Sequence, residues 1–262
     1  MRIARFAHSS GMSFGVVEGE SSAGASGLTV AEIEGHPFGE LRFTGQRWAV
    51  ADVRLLSPIL PSKVVCVGRN YADHAAELGN DVPKEPLLFL KPSTSIIGPN
   101  DAIRLPPQSQ QVEHEAELAV VIGVTGARRV DRAGAAAAIF GYTCANDVTA
   151  RDLQRKDVQF TRAKGFDSFC PIGPWIVTGV DVSDVEVRCE VNEEVRQLGR
   201  TKDMVFDVPT IVSYVSHVMT LLPGDVILTG TPAGVSPIVN GDEVVVSIEG
   251  IGALSNKALT LD

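Results

Sequence analysis

The sequence predicts an α+β fold that is mainly β, with a few helices beside the strands. Short apolar runs bounded by glycine or proline recur at residues 64–68, 87–92 and 226–229, and such runs are typical of buried strands. The longest segment with helical spacing of apolar residues covers residues 206–222. With 262 residues and 44% hydrophobic content, the chain can bury one large core and carry a small additional unit.

Residues 1–58 are predicted to form a small N-terminal domain, and residues 59–262 the main domain. Strands are predicted at residues 3–6, 14–17 and 48–56, and a short helix at residues 29–33. Gly11-Met12-Ser13-Phe14-Gly15 matches the Gly-x-Ser-x-Gly pattern of nucleophilic serines. That pattern requires a strand before the serine and a helix after it. Because turn residues precede Ser13 and a strand-like segment follows it, we predict a hairpin and no catalytic serine.

The main domain is predicted to begin with a strand at residues 64–68, followed by a helical segment that reaches residue 78. A helix here would place His74 and Glu77 on one face, because they are three residues apart. A carboxylate that orients an imidazole is a common acid/base device. The alternative is an incidental pair on a surface helix.

Residues 111–123 alternate charged and small side chains and then become apolar, which is the pattern of a strand that enters a core. On one continuous strand, Glu113, Glu115 and Glu117 would point to the same side and His114 to the other. Carboxylates this close together repel unless a cation lies between them, and hard divalent cations prefer oxygen ligands. The segment therefore predicts either a metal site or a solvated edge strand whose charges oppose aggregation.

Asp147 follows a predicted strand at residues 140–145, which itself follows an alanine-rich helix at residues 131–139. A strand end holds a side chain rigidly while leaving it accessible, which suits a metal ligand. A helix cap or an Asx turn is the competing interpretation of Asp147. Thr231 lies in a loop at residues 230–234, which could present N–H groups and a hydroxyl to an anion. Lys164, before a glycine, has the pattern of a solvated loop lysine.

Composition and charge exclude several classes of partner. The net charge is −9 and no basic patch is present, so we expect no nucleic-acid partner. No apolar run approaches the ~20 residues of a membrane helix, and the first residues lack the apolar core of a signal peptide. The four cysteines are scattered, as expected for buried thiols of a cytoplasmic protein.

As an ordered set, these motifs resemble the fumarylacetoacetate hydrolase family, particularly its short bacterial and mitochondrial members. The set runs from residue 64 to about residue 256 and consists of Gly68-Arg69-Asn70-Tyr71 with His74 and Glu77, Phe89-Leu90-Lys91-Pro92, Glu115-Ala116-Glu117, the segment 146–152, Lys164 and Thr229-Gly230-Thr231-Pro232. The N-terminal unit resembles the small extra domain of many bacterial members, such as 2-hydroxyhepta-2,4-diene-1,7-dioate isomerases. The resemblance implies a mixed β-roll with flanking helices, usually assembled as a homodimer.

The resemblance also implies roles for nine side chains. The implied metal ligands, for one Mg²⁺ or Mn²⁺ per subunit, are Glu115, Glu117 and Asp147. The implied catalytic residues are His74, Glu77 and Lys164, and the implied substrate contacts are Arg151, Gln154, Lys164 and Thr231. Two positions depart from the family pattern. Val67 stands where the founding hydrolase has a further carboxylate ligand, and Ser236 stands where many relatives have glycine.

The predicted function is that of a divalent-metal-dependent enzyme that acts through an enolate on small 2-oxo or 2-hydroxydienoate dicarboxylic acids. Because the additional ligand of the founding hydrolase is missing, we favour an isomerase or decarboxylase of aromatic catabolism. A C–C bond hydrolase acting on fumarylacetoacetate or acylpyruvates, and an oxaloacetate decarboxylase, remain alternatives. A catalytically silent ligand-binding module is the alternative from another class, and the complete residue set argues against it. The exact substrate and the choice between Mg²⁺ and Mn²⁺ stay open.

Overall fold

The computed structural model describes residues 1–19 and 27–260. Its strands are β1 (Arg2–His8), β2 (Gly11–Glu18), β3 (Thr29–Ile33), β4 (Phe43–Ala49), β5 (Arg54–Leu56), β6 (Val64–Gly68), β7 (Leu87–Lys91), β8 (Ile96–Ile97), β9 (Ile103–Leu105), β10 (Val112–Glu113), β11 (Ala116–Ile122), β12 (Ile139–Asn146), β13 (Thr149–Ala150), β14 (Cys170–Val177), β15 (Glu186–Val191), β16 (Glu194–Arg200), β17 (Val226–Leu228), β18 (Glu243–Ile248) and β19 (Gly252–Thr260). Its helices are α1 (Ala72–Glu77), α2 (Arg132–Ala138), α3 (Arg151–Lys156), α4 (Thr161–Lys164) and α5 (Val208–Val218). The predicted mainly β fold with a few helices is confirmed.

Within the described residues, these strands form two large sheets and a two-stranded sheet in which β10 pairs antiparallel with β13. The larger sheet has the order β4-β3-β2-β1-β14-β12-β11-β17-β6-β7, with β5 and β8 attached to β1 and β14. The smaller sheet has the order β16-β15-β18-β19-β9. Every residue of β11 is buried: Leu118 and Val120 belong to the main hydrophobic cluster, and Ala119 and Val121 to a second one. Beyond Glu117, the strand is therefore apolar on both faces, as expected for a central strand.

The N-terminal unit extends the larger sheet, because β1 pairs antiparallel with β14. The predicted hairpin is confirmed: β1 and β2 are antiparallel neighbours, and Ser13 lies on β2 opposite Phe6. The Ser13 hydroxyl donates a hydrogen bond to Glu32. Ser13 is thus part of a hairpin and does not occupy a strand-to-helix turn. The division into domains at residues 58 and 59 stays a prediction.

The helix predicted at residues 29–33 is wrong, because this segment is the strand β3. Three of its five residues, Thr29, Val30 and Ile33, are β-branched and pack well on a pleated surface. The segment pairs with β2 on one side and β4 on the other, whereas a five-residue helix would be marginal in isolation. The predicted strand at residues 48–56 is also interrupted, by a 3₁₀ turn at Val50–Asp52.

The longest helix, α5, is shorter at both ends than its sequence pattern predicts. Asp207 caps its N-terminus by accepting a hydrogen bond from the backbone N–H of Thr210, and Pro209 occupies its first turn, as helix starts favour. Helix α5 packs against α2. Among the described helices, none has both the length and the apolar character needed to cross a membrane.

Strand directions bring several loops together at one edge of the larger sheet. Strand β12 runs antiparallel to β11, so its last residue, Asn146, lies opposite Ala116 at the start of β11. Strand β17 also runs antiparallel to β11 and parallel to β6. The segments that follow β6, β12 and β17 therefore meet the start of β11 and the segment that precedes it, and the predicted site residues lie in this region.

Candidate active site

Three buried carboxylates form the centre of the site. Glu115, Glu117 and Asp147 each place one carboxylate oxygen within 4.8 Å of the others, and their exposed fractions are only 4%, 2% and 0%. Two hydrogen bonds from backbone N–H groups hold Glu115 and Asp147 together. The Asp147 N–H donates to the Glu115 carbonyl at 2.9 Å, and the Glu115 N–H donates to the Asn146 side-chain oxygen at 2.9 Å. The trio that the sequence predicts as metal ligands is thus brought together.

The acidic segment is not the continuous strand that its alternation predicts. It divides into β10 and β11, with a break at residues 114–115. His114 faces away from the carboxylate trio, as predicted, with its two ring nitrogens 2.9 Å from the side-chain oxygens of Gln197 and Ser236. Glu113 is also outside the trio, since its carboxylate accepts hydrogen bonds from Arg151 and Gln111.

Two buried lysines neutralise part of this negative charge. The Lys164 ammonium, at the end of α4, donates to Glu115 Oε2 and Asp147 Oδ2, both at 2.7 Å. The Lys91 ammonium donates to Asp147 Oδ1 at 2.5 Å and to the Val148 carbonyl at 3.2 Å. Lys164 is therefore not the solvated loop residue that its position before glycine suggests, since it is 2% exposed.

The three carboxylates differ in electrostatic environment. Burial alone would raise the pKa of Glu115, but the charges of Lys164 and Arg151 outweigh it and hold that pKa below its ordinary value. Burial raises the pKa of Glu117 well above its ordinary value, and repulsion from Asp147 and Glu115 adds to the shift. Glu117 receives a hydrogen bond from the Gly230 N–H at 2.6 Å. Glu115 and Asp147 each contact a lysine, whereas no lysine or arginine donates to Glu117 among the described residues. A set of three carboxylates with this uncompensated charge fits a hard divalent cation, which prefers oxygen ligands.

An acid/base pair lies on helix α1. His74 is 4% exposed, and its Nδ1 is 3.2 Å from Glu77 Oε2. The other oxygen of Glu77 accepts a hydrogen bond from the Gly234 N–H at 3.0 Å. Because an ionised carboxylate only accepts hydrogen bonds, Nδ1 must carry the proton, which leaves Nε2 free to take up or release one.

One cavity of about 480 Å³ unites these groups. All nine side chains with predicted roles line it, namely His74, Glu77, Glu115, Glu117, Asp147, Arg151, Gln154, Lys164 and Thr231. Leu78, Leu87, Phe89 and Phe160 contribute apolar wall. The volume lies within the range of small-molecule sites.

Arg151 and Gln154 are engaged with the protein itself. Arg151 donates through Nε to Glu113 at 2.7 Å, through Nη2 to Glu115 at 2.5 Å and through Nη1 to Gln154 at 2.5 Å. These bonds orient Glu115 and occupy the guanidinium on three sides. The predicted role of Arg151 and Gln154 in contacting substrate stays a prediction, and their present contacts are structural.

The hydroxyl of Thr231 is similarly engaged. It donates to the Ala116 carbonyl at 2.8 Å and accepts from Gln197 Nε2 at 2.7 Å. Gln197 is fully buried on β16, and its side-chain oxygen also accepts from the Ala116 N–H at 2.9 Å. Gln197 therefore ties the smaller sheet to the start of β11 and to the loop that carries Thr231.

Sequence reasoning missed Lys91 and Gln197 as parts of the site. Lys91 ends the apolar run 87–91, and a lysine at the buried end of a strand was the available signal for an internal ion pair. Its partner, Asp147, is 56 residues away in sequence, so no local pattern could identify the pair. Gln197 lies in the strand sequence Glu-Val-Arg-Gln-Leu-Gly-Arg, which carries no signal for a buried amide.

We expect the substitution Lys91→Met to lower the free energy of unfolding by about 3 kcal/mol in the presence of a chelator. Removing one partner of a buried ion pair costs about 3–5 kcal/mol, and the lower end applies because Lys164 still contacts Asp147. Urea denaturation measures the difference. Lys84→Met, which replaces an exposed lysine, is the matched control and should change stability little. Equal stability of the Lys91 and Lys84 variants would contradict this account of the pair.

A buried carboxylate trio and an imidazole–carboxylate pair face one cavity, an arrangement that indicates the active site of an enzyme. Residues 63–258 match the family model described as fumarylacetoacetate (FAA) hydrolase, C-terminal. Residues 1–58 match a second model, described as Rv2993c-like, N-terminal. The chain belongs to the fumarylacetoacetate hydrolase family and is an enzyme.

Relatives cover most of the chain. Protein Rv2993c of Mycobacterium tuberculosis is 55% identical over 262 residues, which cover 99% of this chain and 98% of that protein. The human mitochondrial oxaloacetate tautomerase FAHD2A is 47% identical over 222 residues, 80% of this chain and 70% of that protein. The crystal structure of 2-hydroxyhepta-2,4-diene-1,7-dioate isomerase from Mycobacterium marinum superimposes with a TM-score of 0.93 at 53% identity, and covers 99% of this chain and 98% of that one.

A more distant solved structure contains a metal. Fumarylpyruvate hydrolase from Pseudomonas aeruginosa, in complex with Mn²⁺ and pyruvate, superimposes with a TM-score of 0.72 at 32% identity. The match covers 76% of this chain and 90% of that one. Enzymes of this family thus include isomerases, hydrolases and tautomerases, and at least one binds a divalent cation together with a 2-oxo acid.

Proposed function

We propose that the protein is a divalent-metal-dependent enzyme that moves a proton through an enolate of a small dicarboxylic 2-oxo or 2-hydroxydienoate acid. Keto–enol or double-bond isomerisation is the reaction that we favour. The observation that carries the proposal is the single cavity in which His74, paired with Glu77, faces the trio of Glu115, Glu117 and Asp147. The names of the isomerase and tautomerase relatives support the same chemistry.

Glu115, Glu117 and Asp147 would hold one Mg²⁺ or Mn²⁺. The support is their all-oxygen donor set, their burial and the raised pKa of Glu117, which follows from burial first and from repulsion by Asp147 and Glu115 second. When bound, such a cation acts as a Lewis acid that polarises the carbonyl of a 2-oxo acid and stabilises negative charge on its oxygen. The Mn²⁺ and pyruvate complex of the Pseudomonas relative is consistent with this assignment.

The chain's own residues would carry the proton. His74 Nε2 accepts a proton from the carbon next to the carbonyl, and the electron pair of the broken C–H bond moves to form the enolate. Glu77 holds the imidazole in the required tautomer and stabilises its positive form, and the Gly234 N–H holds Glu77. Return of the same proton to the enolate oxygen gives the enol. Its return to a more distant carbon of a conjugated enolate gives the isomerised acid.

Lys164 would assist by placing positive charge near the developing enolate oxygen. Burial lowers the pKa of its ammonium, but Asp147 and Glu115 outweigh burial and raise it, so Lys164 stays charged at neutral pH. The apolar walls at Leu78, Leu87 and Phe89 would limit water, which strengthens each of these electrostatic interactions. We further propose, from family membership, that the chain assembles as a homodimer, and from its composition that it works on free metabolites in the cytoplasm.

An assay of solvent deuterium uptake at C3 of oxaloacetate tests the proposal. We expect rapid, enzyme-dependent exchange with Mg²⁺ or Mn²⁺ and its loss with a chelator. The same samples should be analysed for CO₂ and for pyruvate, because decarboxylation is one alternative outcome. A parallel reaction with an acylpyruvate tests C–C hydrolysis. If the metal-loaded protein exchanges no proton of any 2-oxo or 2-hydroxydienoate acid tried, the proposed function is wrong.

A further inference from the structure

The cavity contains more positive charge than the catalytic centre uses. Four cationic side chains line it: Arg69, Arg151, Arg155 and Lys164. Lys164 contacts Glu115 and Asp147, and Arg151 contacts Glu113 and Glu115. Both are therefore occupied by carboxylates of the protein. Within the described part of the chain, Arg69 and Arg155 remain as cations that form no ion pair with a carboxylate of the protein.

Arg69 and Arg155 differ in how they are placed. Arg155 lies on α3, is exposed, and donates to the amide oxygen of Gln111 at 2.6 Å. Arg69 is half-buried and, among residues 1–19 and 27–260, has no hydrogen-bond acceptor or ion-pair partner. A half-buried guanidinium that lines a cavity and donates to no protein acceptor keeps its charge and its N–H groups available, and an anionic ligand can bind to them. Arg69 is therefore the stronger candidate of the two.

The backbone of Arg69 is held in an unusual conformation. Its φ is +58°, in the left-handed region that few residues other than glycine adopt. On one side, Gly68 is paired with Leu87. On the other side, the buried Asn70 donates to the carbonyls of Phe206 at 3.0 Å and Thr229 at 2.7 Å, and accepts from the Phe206 N–H at 2.8 Å. Both neighbours are fixed, so the fold imposes this conformation on Arg69.

Glycine would adopt this conformation at lower cost, yet an arginine occupies it on the wall of the cavity. We propose that Arg69 binds the substrate carboxylate that is remote from the 2-oxo group, and so selects dicarboxylic over monocarboxylic 2-oxo acids. The inference deepens the proposed function and rests on it for the nature of the ligand. It assigns the remote carboxylate to Arg69 because the guanidinium of Arg151 already contacts Glu113, Glu115 and Gln154.

Two variants and two ligands test the inference. Oxaloacetate and pyruvate differ by one carboxylate, so their ratio of affinities reports the remote subsite. Arg69→Gln removes the positive charge of the side chain. Arg69→Gly also removes this charge, and glycine adopts the positive φ of this position at low cost. Binding to the Mn²⁺-loaded protein is measured by calorimetry, and KM and kcat by deuterium uptake. Arg155→Gln serves as the matched control, because it removes an exposed cation from the same cavity.

We expect both Arg69 variants to bind oxaloacetate at least tenfold more weakly, because a hydrogen bond to a charged group contributes enough for a factor of about ten or more. The affinity of both variants for pyruvate should stay within about twofold of the parent's affinity. The melting temperature of Arg69→Gly should equal or exceed that of the parent, because glycine adopts the positive φ without strain. Arg155→Gln should weaken oxaloacetate binding less than either.

The role of Arg69 would be overturned if its variants lost equal affinity for oxaloacetate and pyruvate, or if they lost no affinity for oxaloacetate. A parent protein that binds oxaloacetate no more tightly than pyruvate would also overturn it. A parent that prefers oxaloacetate in calorimetry but exchanges no proton would refute the proposed reaction and leave the subsite supported. The two proposals therefore fail on different measurements.

Discussion

Replacing Glu117 with glutamine should weaken Mn²⁺ binding at least about 100-fold while leaving the fold intact. Loss of residues that merely support metal ligands costs 10–100-fold in affinity, and Glu117 is proposed as a direct ligand. Glutamine preserves the shape of the side chain and can still accept the Gly230 N–H. Isothermal calorimetry measures the affinity, and Glu34→Gln, which alters an exposed carboxylate, is the control.

The same substitution has a second, opposite consequence for stability. Without metal, the Glu117 carboxylate is disfavoured by burial and by repulsion from Asp147 and Glu115, so Glu117→Gln should be at least as stable as the parent in a chelator. With Mn²⁺ at 100 times its dissociation constant, the parent should gain about 2.7 kcal/mol. The variant should gain less than about 0.5 kcal/mol at the same concentration. A Glu117 variant that binds Mn²⁺ as tightly as the parent would refute the ligand assignment.

Replacing His74 with alanine should lower the rate of proton transfer about 10²–10⁴-fold, the usual contribution of a general acid or base. The imidazole is the group that the Glu77 carboxylate orients in the cavity, and alanine cannot exchange a proton. The Mn²⁺ affinity of this variant should stay within about twofold of the parent's affinity, because His74 lies outside the group of Glu115, Glu117 and Asp147 that is proposed to bind the metal. Deuterium uptake at C3 of the best substrate measures the loss.

Asp73→Asn is the matched control for His74, because Asp73 is the preceding residue of the same helix and is exposed. It should retain the activity of the parent. Glu77→Gln gives a further check, since it removes the charge that stabilises the imidazolium but can keep a hydrogen bond. An intermediate loss of rate is expected for it. Full activity of the His74 variant would require another group to carry the proton.

Much of the site was predictable because its signals are local. Glu115 and Glu117 are two residues apart at the start of a buried strand, and Asp147 directly follows another strand. His74 and Glu77 have the i, i+3 spacing of a helix, and α1 places them within hydrogen-bond distance. Period-two and helical patterns are the strongest information in a single sequence.

The remainder depended on contacts between distant parts of the chain. The strand break at residues 114–115 is accompanied by bonds from this segment to Asn146 and Gln197, which the alternation of charges could not reveal. The three contacts of Arg151 likewise come from folding, so the family resemblance could imply a substrate contact for Arg151 but could not reveal these internal bonds. The strand at residues 29–33 exists because β2 and β4 flank it, a case of tertiary pairing deciding a short segment.

The most direct test of the metal centre is anomalous X-ray diffraction from crystals of the protein soaked in Mn²⁺ and oxalate. We predict one anomalous peak per chain, within bonding distance of one oxygen each from Glu115, Glu117 and Asp147, with oxalate on its cavity side. Mn²⁺ bound elsewhere in the cavity, or no peak at a concentration that supports proton exchange, would contradict it.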